Sequence, residues 1–205
     1  MIDLYTWGTP NGRKISIMLE ALRLPYSVHP INILENDQFQ PSFLKISPNN
    51  KIPAIVDPEG PNGETVELFE SGAILIYLAE KSGEFIPTDP ITRLECLQWL
   101  MWQMSGFGAF LGQAHHFNQF AKEDVPYAKQ RFNQEAQRLW QVLNTQLKNK
   151  AFVVGDELSI ADFAIYPWAM RYAWQKVDPE QFPHVKAWMD RMGNIEFVQR
   201  GMQVP

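Results

Sequence analysis

Residues 54–72 read Ala54-Ile-Val-Asp-Pro-Glu-Gly-Pro-Asn-Gly-Glu-Thr-Val-Glu-Leu-Phe-Glu-Ser-Gly72, and they decide the fold of the first part of the chain. Two short apolar runs, Ala54–Asp57 and Thr65–Phe69, flank the turn-forming residues Pro58–Gly63, which predicts a β-hairpin. Apolar residues on one face of 71–81 then predict a helix directly after the hairpin.

The residues before this hairpin add two strands and two helices. Strands are predicted at 2–6 and 26–33, with Pro30 at an edge or at the end of the second one. Apolar spacing predicts a helix at 11–23, and a short helix is predicted at 41–46. The order β-α-β-α-β-β-α predicts a four-stranded mixed sheet with helices on its faces, which is the order and length of a thioredoxin-like domain.

The segment Gly83-Glu-Phe-Ile-Pro-Thr-Asp-Pro90 contains a glycine and two prolines and is typical of a domain boundary. We therefore predict an α/β domain over residues 1–85 and an all-α helical bundle over residues 86–205. The helices of the bundle are predicted from apolar spacing at 92–107 and 132–147, from the capping-box spacing of Ser159-Ile-Ala-Asp162, and from Pro183 in a first turn.

Composition excludes several classes of protein. The 205 residues are 45% hydrophobic and 20% charged, which is typical of a packed globular protein and not of a disordered or coiled-coil chain. The net charge of −5 argues against nucleic-acid or anionic-membrane partners. Because there is one cysteine and no secretory signal is recognised, we expect a soluble cytoplasmic protein.

Gly8-Thr9-Pro10-Asn11-Gly12 connects the first predicted strand to the first predicted helix. Backbone N–H groups at a helix N-terminus lack intrahelical acceptors, and the helix dipole favours an anion there. Thr9 and Asn11 add a hydroxyl and a side-chain amide that can donate to a negatively charged atom. The simpler interpretation is that one of them only caps the helix.

Two further segments adjoin the ends of predicted strands. Pro48-Asn-Asn-Lys-Ile-Pro53 precedes the strand at Ala54, and a cis Ile52–Pro53 bond there would leave the Ile52 backbone ready to pair with an extended peptide. Glu70 and Ser71 begin a helix after a strand. Their carboxylate and hydroxyl, with the helix N–H groups, suit the two ends of an amino-acid zwitterion, although Ser71 alone also suits a helix cap.

These segments, in this order on this β/α pattern, resemble the glutathione transferase superfamily. Asn50-Lys-Ile-Pro-Ala54 and Glu70-Ser-Gly-Ala73 are similar to its glutathione-binding motifs, and Ser159-Ile-Ala-Asp162 is similar to the capping box of its second domain. The resemblance covers essentially the whole chain. Thr9-Pro-Asn-Gly12 and Leu111-Gly-Gln-Ala-His-His-Phe-Asn118 most resemble the bacterial Nu class, the glutathione-dependent disulfide-bond reductases.

The resemblance implies a glutathione transferase fold and a set of residues that bind glutathione as a cosubstrate. Ile52 would pair with the glutathione backbone, and Glu70 and Ser71 would hold its γ-glutamyl end. Arg131 would reach glutathione across the interface of a homodimer. Without the resemblance, the simpler interpretation of Arg131 is a solvent-exposed charge on a helix. The implied binding residues are Asn11, Gln38, Lys51, Ile52, Pro53, Glu70, Ser71 and Arg131.

Thr9 and Asn11 are the candidate catalytic residues because they would stabilise a thiolate. Hydrogen bonds to a charged group contribute roughly 1.5–3 kcal/mol and a helix N-terminus about 0.3–1 kcal/mol. One pKa unit is about 1.4 kcal/mol, so together they would lower the pKa of a bound thiol by about one to three units. Tyr5 and Thr6 are rivals for the hydroxyl role, since other classes use Tyr or Ser, but an aromatic inside a strand is more often core.

The chain offers little chemistry of its own for redox or metal reactions. Cys96 lies in an apolar helical stretch, which indicates a buried and inert thiol, so both electrons for a disulfide reduction must come from glutathione. His115 and His116 are adjacent and point about 100° apart, so no shared metal ion is predicted. His116 and Phe117, with Trp102 and Phe110, are instead candidates for the wall of an acceptor site.

The sequence thus favours a glutathione-dependent disulfide-bond reductase that acts on small disulfides, with transferase or peroxidase activity in addition. Two alternatives remain: conjugation of glutathione to electrophiles, and a non-catalytic protein that uses the fold for regulation or assembly. A homodimer with Phe69 near its two-fold axis is expected from the resemblance.

Overall fold

The computed structural model describes residues 1–205 and divides them into two compact units, one of residues 1–84 with 195–205 and one of residues 85–194. The nine helices are Pro10–Leu22 (α1), Pro41–Ile46 (α2), Ser71–Ser82 (α3), Pro90–Trp102 (α4), Gly108–His115 (α5), Pro126–Gln146 (α6), Ile160–Ala169 (α7), Pro183–Gly193 (α8) and Glu196–Gly201 (α9).

The first unit is built on a mixed sheet of four strands, as predicted. The strands are Ile2–Thr6 (β1), Tyr26–Pro30 (β2), Ala54–Asp57 (β3) and Val66–Phe69 (β4), in the order β2-β1-β3-β4. β1 pairs with β2 in parallel, and β3 pairs antiparallel with both β1 and β4. The thioredoxin-like order is therefore confirmed. The edge strand β2 ends at Pro30 instead of residue 33, because Pro30 pairs with Thr6, the last residue of β1, and the Ile31 N–H makes the final bond to the Thr6 carbonyl at 2.8 Å.

The core of the first unit lies between the sheet and the apolar faces of α1 and α3. Leu4 of β1 and Ile55 of β3 are fully buried. So is the predicted face of α3, which consists of Ile74, Leu75, Leu78 and Ala79. Gly12 is required where α1 begins, because a Cβ at this position would lie 2.2 Å from Thr6 Oγ1. The start of α1 is thus held against the end of β1.

Helix α9 belongs to the first unit, although the sequence placed residues 195–205 in the helical bundle. A Cβ on Gly201 would lie 2.5 Å from Ile17 Cα, so the backbones of α9 and α1 are in contact. The Ser16 hydroxyl donates to the Gly201 carbonyl at 2.7 Å, and the Arg200 guanidinium pairs with Glu20 at 2.7 Å. No local sequence pattern predicts this contact, because α1 and α9 are far apart in the chain.

The second unit is helical, with one long helical run from Pro90 to Phe120. Gln103–Phe107 and His116–Phe120 in this run are π-helical, a feature with no sequence signal that often occurs at functional sites. The apolar residues used to predict the helix at 92–107 include the exposed Leu94 and Met101. The buried face contains Cys96, Leu100 and Phe107, so the helix is correct but the face that packs is a different one.

The predicted capping box at the start of α7 is confirmed. The buried Asp162 accepts hydrogen bonds from the Ser159 N–H at 3.0 Å and, across the unit, from Val153 N–H at 2.9 Å and Trp188 Nε1 at 2.8 Å. Pro183 opens α8 as predicted. None of the nine helices combines the length and apolar character that a membrane span requires.

We expect Gly201→Ala to destabilise the protein by about 2 kcal/mol, because forcing a methyl group into a packed contact typically costs roughly 1–3 kcal/mol. Gly106→Ala is the matched control, since its new Cβ would meet only Leu139 Cδ2 at an ordinary 3.9 Å. Denaturant unfolding measures both variants. Equal stability of Gly201→Ala and the wild type would contradict the close contact of α9 and α1.

Candidate functional site

Strand register brings the three candidate segments of the first unit to one end of the sheet. Ala54 lies opposite Tyr5 in β1 and opposite Phe69 in β4. Because both pairings are antiparallel, the residues just before Ala54 lie beside those just after Tyr5 and Phe69. The end of β1, the start of β3 and the end of β4 therefore meet, and the N-termini of α1 and α3 begin there.

Thr9 is the N-cap of α1, and its Oγ1 accepts a hydrogen bond from the Gly12 N–H at 3.3 Å. The capping interpretation is therefore correct for Thr9. It does not exclude the catalytic one, because a hydroxyl that accepts a bond keeps its own proton for donation. Gly8 leaves the approach open, since a Cβ there would meet no atom within 4 Å. The half-buried Thr9 thus offers one hydroxyl donor at the tip of the helix.

Fewer backbone donors are available at this tip than the sequence suggests. The Thr9 N–H donates to the Trp7 carbonyl at 2.5 Å, the Gly12 N–H donates to Thr9 Oγ1, and the Arg13 N–H donates to the Thr9 carbonyl at 3.1 Å. Pro10 has no N–H. An anion at the tip would depend on the side chains of Thr9 and Asn11 and on the helix dipole, because the cap uses these backbone donors itself.

The two rival hydroxyl groups lie elsewhere. Tyr5 stacks on His29 with ring centroids 4.7 Å apart, and burial together with the charges of Asp3 and Glu67 raises its pKa. A tyrosine of raised pKa is a weaker donor to a thiolate. Thr6 is fully buried, and its hydroxyl lies under Gly12 without a hydrogen-bond partner. Neither group competes with Thr9 for an anion outside the helix tip.

The Ile52–Pro53 peptide bond is cis, as the sequence suggested. Immediately before it, the buried Ser47 donates its hydroxyl proton to the Lys51 carbonyl at 2.8 Å and accepts the Asn50 N–H on its own carbonyl at 2.9 Å. The half-buried Ile52 makes no hydrogen bond through its N–H or C=O. This unpaired backbone extends β3 beyond the residues that β1 and β4 cover, so an extended peptide can pair with it.

Gln38 and Lys51 flank this segment differently. Gln38 lies in a short 3₁₀ turn between β2 and α2, and its buried Oε1 has no hydrogen-bond partner. Buried polar atoms in native structures are nearly always bonded, so an orphaned acceptor indicates a ligand donor or a water. Lys51 is exposed and supplies a mobile positive charge.

Glu70 and Ser71 form the start of α3 in a constrained geometry. Glu70 has φ +70°, a left-handed conformation that is costly for a glutamate and that tends to occur at functional positions. Its exposed carboxylate does not cap α3. The first-turn N–H groups of Gly72 and Ala73 therefore remain for an anion, beside the buried Ser71 hydroxyl.

Lys14 is a further site residue that sequence reasoning missed. It is 1% exposed on α1, and its ammonium group donates to Ser71 Oγ at 3.2 Å. Burial lowers the pKa of Lys14 to about 7, and the charge of Glu70 opposes this shift. The spacing of Lys14 could have predicted its burial. Lys14 precedes the buried Ile17 and Met18 by three and four residues and so lies on the same face of α1.

The remaining candidates lie in the second unit. Arg131 is exposed on α6, and beside it Phe132 stacks on Phe117 with centroids 5.5 Å apart. Of the other wall residues, Phe110 approaches Phe132 at 6.5 Å, His116 packs against Phe117 at 5.0 Å, and Trp102 packs on Phe107 instead.

The cysteine and the buried histidine of this unit have structural surroundings. Cys96 is fully buried, and burial raises the pKa of its thiol. His115 is buried against Trp168 and Trp174, and burial together with the charge of Arg171 lowers its pKa to about 4. A raised thiol pKa disfavours the reactive thiolate, so Cys96 is a poor nucleophile.

Comparisons with known proteins identify relatives of both units. Residues 1–80 match the family described as "Glutathione S-transferase, N-terminal domain", and residues 109–196 match "Glutathione S-transferase, C-terminal domain". The chain is 49% identical to the disulfide-bond oxidoreductase YfcG of Escherichia coli over 94% of this chain and 90% of that protein. It is 41% identical to the disulfide-bond oxidoreductase YghU of the same organism over 98% and 73%.

Solved structures agree with these sequence matches. A glutathione transferase family member from Pseudomonas fluorescens, solved with two glutathione bound, superposes with a TM-score of 0.96 at 42% identity, covering 100% of this chain and 93% of that one. A glutathione transferase from Pseudomonas putida, with one glutathione disulfide bound per subunit, gives 0.95 at 43% identity, covering 100% and 91%.

Proposed function

The chain belongs to the glutathione S-transferase family, and from that premise we propose that it is a glutathione-dependent disulfide-bond reductase. Relatives at 41–49% identity are disulfide-bond oxidoreductases, and related structures hold glutathione or its disulfide. The observation that carries the proposal is the register of β3, which groups a thiolate-stabilising helix tip, an unpaired backbone and a zwitterion site at one end of the sheet.

These three parts match the chemistry of glutathione. The γ-glutamyl ammonium pairs with the Glu70 carboxylate, and the α-carboxylate accepts bonds from the Ser71 hydroxyl and the first N–H groups of α3. The Ile52 backbone pairs with the middle of the tripeptide. The orphaned Gln38 Oε1 accepts an N–H of glutathione, and Lys51 attracts its negative charge.

The thiol of glutathione then lies at the tip of α1. The Thr9 hydroxyl and the Asn11 amide donate to the sulfur, and the α1 dipole adds to their effect. These interactions favour the ionised form, which is the nucleophile in thiol–disulfide exchange. The tip makes a thiolate the main species near neutral pH, where a free thiol with a pKa near 8.5 is mostly protonated.

The reaction takes both electrons from glutathione. A bound glutathione thiolate attacks one sulfur of the substrate disulfide, which forms a glutathione mixed disulfide and releases the other sulfur as a thiolate that takes up a proton. The thiolate of a second glutathione attacks the glutathione sulfur of the mixed disulfide. This step releases the second substrate thiol and leaves glutathione disulfide. No cysteine of the chain takes part, because Cys96 is buried.

Two assays on the purified protein test this function. We expect faster glutathione-dependent reduction of 2-hydroxyethyl disulfide than conjugation of 1-chloro-2,4-dinitrobenzene, compared as kcat/KM at equal glutathione. The physical reason is that the site activates a sulfur, whereas the two side chains proposed at the helix tip, Thr9 and Asn11, are uncharged and give a halide leaving group little stabilisation. The reverse order favours conventional conjugation. Glutathione binding undetectable by calorimetry favours the non-catalytic alternative.

We expect Thr9→Ala to lower kcat/KM for disulfide reduction by about 10- to 100-fold at neutral pH, because one hydrogen bond to a charged group contributes roughly 1.5–3 kcal/mol. The pKa in its pH–rate profile should rise by about one to two units. Thr9→Ser keeps the hydroxyl and the helix cap and is the matched control, expected to retain most activity and the wild-type pH profile.

Cys96→Ser is the second control, and it should retain most activity because the buried thiol is not the nucleophile. If its loss of activity matched that of Thr9→Ala, the mechanism in which glutathione supplies both electrons would be wrong.

The functional enzyme is a cytoplasmic homodimer in this proposal. An apolar strip on α4, formed by Ile91, Leu94 and Met101, has side chains 75%, 64% and 47% exposed, and such strips mark interaction surfaces. Phe69 is half-buried at the end of β4. The dimer lets Arg131, exposed on α6, serve the glutathione of the other subunit.

Sedimentation equilibrium should give twice the chain mass of 23.7 kDa for the wild type. Leu94→Glu should shift the equilibrium toward the monomer, because it places a charge in the apolar strip, whereas Gln181→Glu, at an exposed position in the turn Pro179–Gln181, should leave the dimer intact. A monomeric wild type at micromolar concentration would contradict the dimer.

A further inference from the structure

Lys14 is a buried cation that the proposed mechanism does not use. It lies on the core face of α1, 1% exposed, and its Nζ contacts Ser71 Oγ at 3.2 Å at the start of α3. A lysine is almost never fully buried unless it is paired, because removing an ammonium group from water is costly. The Lys14 ammonium group lies next to the Ser71 hydroxyl, which in the proposed function donates to the α-carboxylate of glutathione.

The charged groups on the elements packed against α1 are mostly paired with one another. Glu70 is the carboxylate whose charge acts on the ammonium group. On the neighbouring α9, Arg200 is paired with Glu196 and with Glu20 of α1. At the far end of α3, Lys81 is bound to Asp57. The N-terminus of α3 adds its own partial positive charge at Ser71.

The hydrogen bond from Lys14 has a directional consequence. A charged lysine can only donate, so Ser71 Oγ accepts from it and the Ser71 proton must point elsewhere. An uncharged amine can accept, and the Ser71 proton can then turn back toward Lys14. The protonated form of Lys14 is therefore the form that presents the Ser71 hydroxyl to a ligand oxygen.

We propose that Lys14 is a positioning residue of the γ-glutamyl subsite, which in its charged form orients the Ser71 hydroxyl toward the α-carboxylate of glutathione and attracts that carboxylate. The proposal rests on the proposed function, because it requires glutathione to bind with its γ-glutamyl group at Glu70 and Ser71.

The proposal couples ligand binding to proton uptake. Burial lowers the pKa of Lys14 to about 7, so at pH 8 most free protein carries it uncharged, while at pH 6 it is charged already. A carboxylate bound nearby favours the charged form and raises the pKa. Binding at pH 8 therefore draws a proton from solution to Lys14, and binding at pH 6 does not.

Calorimetric titration with S-methylglutathione measures this coupling directly. This ligand has no thiol, so ionisation of glutathione sulfur cannot contribute to the proton count. Titrations in buffers of different ionisation enthalpy should show uptake of roughly half a proton or more per subunit at pH 8, and much less at pH 6. The wild-type protein suffices for this experiment, so its result does not depend on the stability of any variant.

Lys14→Met removes the charge and keeps a side chain of similar length. Replacing a buried charged group by an apolar one of similar volume is often tolerated, and circular dichroism and thermal unfolding check the fold. The variant should show no lysine-linked proton uptake at pH 8 and should bind S-methylglutathione about tenfold more weakly at pH 6, where wild-type Lys14 is charged.

A ligand without the α-carboxylate separates positioning from a general structural effect. S-methylated γ-aminobutyryl-cysteinyl-glycine keeps the ammonium group and the rest of the peptide. Lys14→Met should change its affinity less than about twofold, against about tenfold for S-methylglutathione. Equal losses for the two ligands would show that Lys14 supports the fold of the site and does not act on the carboxylate.

The results of these titrations distinguish a failure of the Lys14 inference from a failure of the proposed function. If wild-type protein does not bind S-methylglutathione, both proposals are wrong. If it binds the ligand and reduces disulfides with glutathione, but shows the same proton uptake as Lys14→Met at pH 8, the inference on Lys14 is wrong and the reductase function stands.

Discussion

The antiparallel pairing of β3 with β1 on one side and β4 on the other is the constraint on which the site depends. Since Ala54 faces Tyr5 and Phe69, the start of β3 must lie between the ends of its two neighbours. Three segments that are far apart in sequence then meet at one end of the sheet. A shift of one residue in either pairing would reverse the faces of a strand and separate the three parts, so the packed core of the sheet also protects the geometry of the site.

Charge in the first unit is organised around anions that the chain itself does not provide. Two helices begin at the same end of the sheet, and each N-terminus carries partial positive charge. Thr9 caps one helix, whereas Glu70 leaves the other uncapped and Lys14 adds a buried cation behind it. Such an arrangement is unfavourable in isolation and becomes favourable with a ligand that has a thiolate and a carboxylate. In the proposed mechanism the chain needs no reactive cysteine, because the ligand supplies the sulfur.

Sequence reasoning succeeded where the signal is local. The turn residues of 58–63, the capping box at Ser159 and the order of strands and helices in the first unit depend on neighbours along the chain. It was less successful where burial depends on distant packing. Lys14 was overlooked because a lysine is expected at the surface, although its spacing places it on the core face. Leu94 helped to predict the helix at 92–107, yet it is exposed, because an apolar residue on a helix does not reveal whether it faces the core or another subunit.

Helix α9 makes the first unit discontinuous in the chain, because residues 195–205 return to α1 after the whole helical unit has been made. During synthesis the sheet and α1 leave the ribosome first, but the surface of α1 around Ser16 and Ile17 lacks its cover until the residues after 194 have emerged. The helix whose tip carries Thr9 thus reaches its final packing last. A nascent chain halted before this point has the residues proposed to bind glutathione but lacks the packing of α9 on α1, so under the proposed function glutathione binding requires completion of both units.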